Sequence, residues 1–131
     1  MATNAPRIYP TLRYDDCPAA IDLLTKALGF TPVTVMENDD GTIGHGLLAY
    51  DTGIVMVSSR STGGNPVFDQ GTACLFVAVD DPDAHHDHAV AQGAEVVMEL
   101  VDQDYGSREY AVRDPEGNIW CFGTYRPGTD G

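Results

Sequence analysis

Three histidines fall within four positions, His85, His86 and His88, and a cluster of imidazoles is a candidate metal site. On a helix, however, His85 and His88 share one face while His86 points elsewhere, beside Pro82 and Ala89. That spacing predicts one partly buried and two solvated histidines rather than three convergent ligands. His45 stands alone in the strand-like run IGHGLLAY, where an imidazole can act as a base or sit at a rim with its ring satisfied. The three cysteines, Cys17, Cys74 and Cys121, are odd in number and widely spaced, so they do not read as a disulfide framework. A thiol nucleophile needs a neighbouring base that lowers its pKa, and no histidine is placed beside Cys74 or Cys121 by spacing.

The charge balance narrows the partners. There are 20 acidic residues against 7 basic ones, of which only Lys26 is a lysine, for a formal charge of −13. Such a surface repels nucleic acid and anionic membranes and favours a cationic partner. With 43% apolar residues the chain can bury a core. No apolar run approaches the length of a spanning helix, and Met1–Pro6 carries neither a basic nor a hydrophobic stretch. The expectation is a cytoplasmic protein with no membrane contact.

These residues are carried by an internal repeat. Arg7–Tyr14 (RIYPTLRY) meets Asp15-Asp16, and Thr72–Val79 (TACLFVAV) meets Asp80-Asp81, an offset of 65 residues. Asp16 and Asp81 are suited to cap a helix, Pro18 and Pro82 to sit in its first turn, and Gly29 and Gly93 to end it. Ile21, Leu24 and Leu28 form an apolar stripe on the first helix, and Pro82, His86, Ala89, Val90 and Gly93 a weaker one on the second. Three strand-like stretches follow each helix: 30–36, 43–50 and 54–58, then 95–101, 107–112 and 119–125. Turns at Asn38–Gly41, Asp51–Gly53 and Asp114–Asn118 punctuate them. The chain therefore reads as one domain over 1–131. Module one covers about 7–60, a polar linker 61–70, and module two about 71–126, each strand–helix–strand–strand–strand. Charge is unevenly shared: residues 7–60 carry four bases and seven acids, net −3, whereas residues 71–125 carry two bases and eleven acids, net −9.

The stretches LRYDDCPAAIDLLTKALGF and YGSREYAVRDPEGNIWCFGTY resemble the vicinal oxygen chelate superfamily, which includes glyoxalase, bleomycin-resistance proteins and extradiol dioxygenases. The resemblance implies an α+β fold of two tandem βαβββ modules. Their curved sheets would line a cup with helices outside, usually in a homodimer. In metal-using members one ligand comes from the first and one from the last strand of each module. Carried over, those positions are Tyr9, Met56, Cys74 and Cys121, and the repeat agrees, since Tyr9 and Met56 each shift by 65 onto Cys74 and Cys121. Hard or borderline ligands such as His and Glu would suit a divalent ion; phenol, thioether and thiols do not. A soft ion held by the cysteines is the remaining metal reading.

Strand alternation sorts the faces. Tyr9, Thr11 and Arg13, then Ile54, Met56 and Ser58, look into the expected cup. In module two Cys74, Phe76 and Ala78, with Ile119, Cys121 and Gly123, do the same, which sends Trp120 and Phe122 to the helix layer. His45 has Tyr110 as its partner at the 65-residue offset, so both are expected over the cup. Tyr105, Arg108, Glu109 and Arg113 are candidate rim contacts, the two arginines equally candidates for pairing with surface acids. The ligand-binding set is therefore Tyr9, Arg13, His45, Met56, Cys74, Phe76, Tyr110 and Cys121. The function that fits is a metal-free binding protein that sequesters a cationic or aromatic small organic molecule. The alternative is a glyoxalase-like lyase or dioxygenase with a divalent metal at a non-standard site.

Overall fold

The computed structural model describes residues 5–60, 66–69 and 71–129. Two compact units divide the chain, 1–71 and 72–131. The linker expected over 61–70 lies outside the described residues except at 66–69, where Pro66–Phe68 form a 3-10 turn.

In the first unit, β1 (Thr11–Tyr14) leads through Asp16 into α1 (Cys17–Asp22). The Asp16 carboxylate accepts from the Ala19 N–H at 3.2 Å, satisfying one of the free donors of the first turn. The helix continues as a π turn over Leu23–Ala27, in which the Leu28 N–H reaches the Leu23 carbonyl at 3.1 Å. β2 (Thr31–Glu37), β3 (Ile43–Tyr50) and β4 (Gly53–Ser59) follow. The sheet order is β1-β4-β3-β2, with β1 parallel to β4 and the other pairs antiparallel. The helix face of the sheet buries Leu12, Tyr14, Leu48, Val55 and Val57 against Ala20, Leu24 and Leu28. Pairing of β1 begins at Thr11, two residues beyond the equivalent start in the second unit, because Pro10 has no N–H to give to a ladder.

The second unit repeats the plan with β5 (Cys74–Ala78), α2 (Pro82–Ala91), β6 (Glu95–Asp102), β7 (Arg108–Arg113) and β8 (Ile119–Gly123). Its order is β5-β8-β7-β6. Asp81 caps α2 by accepting from Ala84 N–H at 3.1 Å, and Gly29 and Gly93 end the two helices at φ 86° and 88°, where a side chain would be strained. Tyr110, Val112, Trp120 and Phe122 form the helix-facing core. The α+β architecture of two βαβββ modules is thus as expected from the repeat.

The α2 stripe differs from expectation. His85 packs against the sheet, its ring 4.3 Å from that of Phe122, while Val90 is exposed. Pro82, His85, His86 and Ala89 share the inward face, since spacings of three and four both return to one side.

A single offset does not relate the two units throughout. Met56 pairs with Thr11 and Cys121 with Phe76, which preserves the shift of 65 in the outer parallel pairs. Leu47 pairs with Met56, however, and Ala111 with Cys121, so β3 maps onto β7 with a shift of 64. The extra residue lies in the first helix: the caps Asp16 and Asp81 are 65 apart but Gly29 and Gly93 are 64 apart, β2 already maps onto β6 with a shift of 64, and the π turn over Leu23–Ala27 takes up the difference. The turn Asp114–Asn118 is one residue longer than its counterpart and restores the shift of 65 in β8. The structural partner of His45 is therefore Glu109, not Tyr110.

Candidate functional site

One face of each sheet carries the helix and the other does not, and the candidate residues sort accordingly. In the first unit Arg13, His45 and Met56 stand on the helix-free face, with Tyr9 half-buried just ahead of β1. His45 precedes Gly46, which is pressed against the helix side: a Cβ there would lie 3.8 Å from Ile21 Cδ1. Arg13 bonds Asp69 through Nη1 at 3.2 Å and lies 5.7 Å from the centre of the Phe68 ring. Its Nε is buried and has no hydrogen-bond partner.

In the second unit Cys74, Phe76 and Cys121 share the helix-free face of the neighbouring strands β5 and β8. Tyr110 does not join them. It is fully buried on the helix side, with its hydroxyl 2.6 Å from Nδ1 of His85 and its ring stacked on Phe122. The extra residue in the first helix is the reason, since a slip of one position exchanges the faces of a strand.

Glu109 takes the place expected for Tyr110. Its side chain is only 4% exposed, and Oε1 accepts from Tyr105 Oη at 2.8 Å and from Gln103 Nε2 at 3.3 Å. Its other oxygen, Oε2, is buried without a donor. Gly123 makes the room, because a Cβ at that position would come within 3.1 Å of Oε2 and 2.9 Å of the Glu109 Cβ. Around this carboxylate Tyr105, Tyr125 and Phe76 form a chain of edge-on rings, 5.9 Å and 6.4 Å between successive centres. All three are open to solvent, at 61%, 51% and 44% exposure. Gln103 was not legible as a site residue, whereas Tyr125 continues the alternation of Ile119, Cys121 and Gly123 along the expected strand 119–125. A shift of 64 in β7 puts Glu109 itself on this face, where its position near the third strand of module two suggests only a rim contact.

Two groups of this face are held protonated, Cys121 and Tyr105. Burial, reinforced by the charge of Glu109 and by Cys74, pushes the Cys121 thiol up to about 11. The hydrogen bond to Glu109, with some desolvation, raises the Tyr105 phenol above its ordinary value. A protonated thiol is both a weak nucleophile and a weak metal ligand. Among the described residues no group of three or more His, Cys, Asp and Glu side chains is disposed to hold a metal ion. Tyr9, Met56, Cys74 and Cys121 supply no carboxylate or imidazole, so they do not fit a hard divalent ion. Arg108 and Arg113, candidates for the rim, are engaged in ion pairs, Arg108 with Asp83 and Asp102 and Arg113 with Glu95.

Comparison with known proteins agrees with this architecture. The chain is 32% identical to the uncharacterized protein Rv0887c of Mycobacterium tuberculosis, over 94% of this chain and 77% of that one. It superposes on the crystal structure of TioX from Micromonospora sp. ML1 with a TM-score of 0.77 and 32% identity, covering 93% of this chain and all of that one. Glyoxalase I from Zea mays matches with a TM-score of 0.72 over 91% of this chain and 44% of its own, at 15% identity, a likeness of fold alone. The family model described as the glyoxalase/bleomycin resistance protein/dioxygenase superfamily matches residues 8–122. With both modules, their strand order and nearly the whole length accounted for, this chain belongs to the glyoxalase/bleomycin resistance protein/dioxygenase superfamily.

Proposed function

We propose that this chain is a small-molecule binding protein of the bleomycin-resistance type, which sequesters a cationic or aromatic organic ligand without a metal, in the cytoplasm and as a homodimer. The observation that carries the reading is the exposed row of Phe76, Tyr125 and Tyr105 on a sheet face that also carries the protonated Cys121 thiol. Exposed aromatic rings bind flat or cationic organic bodies through their faces, and they cost solubility unless something covers them. The donor set supports binding rather than metal-assisted turnover, since phenol, thioether and thiol polarise no substrate oxygen through a hard ion. Cys74 and Cys121 are free thiols, with Cys74 exposed, which suits a reducing compartment. No helix among the described residues is long and apolar enough to cross a membrane.

A thermal-shift screen tests the proposal, because whatever binds only the folded state must stabilise it. Cationic aromatic compounds at about 100 times their Kd are expected to add about 2.7 kcal/mol of stability. Nickel, zinc, iron and manganese salts are expected to add none. A melt raised by a divalent metal and untouched by every organic compound would overturn the reading.

A further inference from the structure

The buried carboxylate of the second unit is incompletely answered by the protein itself. Both donors that reach Glu109, the Tyr105 hydroxyl and the Gln103 amide, fall on Oε1. Oε2 has none, although a buried ionised oxygen without a donor is costly. The arginines of β7 are spent elsewhere, with Arg108 Nε 2.6 Å from Asp83 and Arg113 Nη1 2.8 Å from Glu95. Glu109 thus forms no ion pair among the described residues.

What stands around Oε2 suits one kind of guest. Gly123 has no side chain to cover the carboxylate, so Oε2 lies 3.1 Å from where a Cβ would be, beside the Ser107 hydroxyl, and a row of three exposed rings begins at Tyr105, the residue that donates to Glu109. Ring faces carry negative potential, and the surrounding residues 71–125 carry net −9. A metal ion would want further anionic ligands, whereas Cys121 beside the carboxylate keeps its proton. We propose that Glu109, with Tyr105, Tyr125 and Phe76, is a subsite for a protonated organic amine. The ammonium donates an N–H to Oε2, and the attached apolar or aromatic body lies along the rings. This rests on the sequestration reading and specifies the charged end of its ligand.

The test is titration of the 15N-labelled full chain near neutral pH with phenethylammonium, and separately with phenethyl alcohol, which keeps the ring and loses the charge. The amine should shift the backbone amides of β7 and β8 near Glu109 and Gly123 saturably, and the alcohol should bind at least about tenfold more weakly. Glu109→Gln keeps the acceptor for Tyr105 and removes the charge, and should weaken the amine about tenfold or more while leaving the alcohol unchanged. The comparison of the two probes on the unmodified chain stands even if the variant folds poorly. Equal binding of amine and alcohol, or full amine binding by a folded Glu109→Gln, overturns the subsite and leaves the sequestration reading intact. Absence of any amide shift with the amine also overturns it, and the sequestration reading then stands or falls on the melt screen alone.

Discussion

Asp114 shows how much a single buried carboxylate can organise when every lone pair is used. It opens the turn to β8 and accepts from the backbone N–H groups of Glu116 and Asn118, both at 3.0 Å. Its other oxygen takes the Asn118 amide and the Trp120 indole N–H, each at 3.1 Å. Trp120 is thereby fixed as core, as alternation along β8 predicts. Asp114→Ala strands several buried donors at once and should cost about 3 kcal/mol or more, read as a lower urea midpoint with an unchanged slope. Glu109 is the contrasting case, buried with one oxygen left over. The chemistry of Asp114 is written in the turn signature Asp-Pro-Glu-Gly-Asn. That of Glu109 is not, because it depends on where along the repeat the offset changes from 65 to 64.

At the scale of the element, the capping aspartates, helix-ending glycines and strand periodicity were all readable, and they yielded the order of β1 to β8 with both helices. The π turn was not: Gly29 and Gly93 lie 64 rather than 65 apart, but periodicity does not show where in the first helix the extra residue is absorbed. The inward face of α2 was misjudged for a related reason: a ten-residue helix with few apolar side chains has no dominant stripe, so tertiary packing chooses its face. That choice brings His86 toward β6, where Nε2 lies 3.0 Å from Glu99 while Nδ1 lies 3.1 Å from Asp87. Those hydrogen bonds, Asp87 first, raise its pKa above 6.5 despite some desolvation. A raised folded pKa means stabilisation that is complete below the unfolded value and fades as pH climbs through the folded one. From about pH 5.5 to pH 8 the unmodified chain should therefore lose a few tenths to about 1 kcal/mol more stability than His86→Gln, measured by denaturant melts at each pH.

For the molecule as a whole, the excess of acid over base is the dominant fact, and it sets what associates with it. β2 is exposed along its entire length and carries Val33, Val35 and Met36 in solvent on the open edge of its sheet. Such an edge invites pairing, and a second copy of the chain is the proposed occupant. Sedimentation should give about twice the chain mass of 14.1 kDa, and a monomer at micromolar concentration would remove the dimer from the proposal. Two copies at −13 each repel, so added salt should tighten the association. The charge total and its concentration in the second half were legible from composition. Whether apolar side chains on β2 face solvent was not, since the same alternation serves a covered strand and a bare one.

The extra residue in the first helix and the five-residue turn at Asp114 offset each other before the last strand of each unit is reached. The repeated half is accordingly a template whose connecting helix and turn each tolerate a residue more or less, while the ladder at Met56 and Cys121 stays in phase.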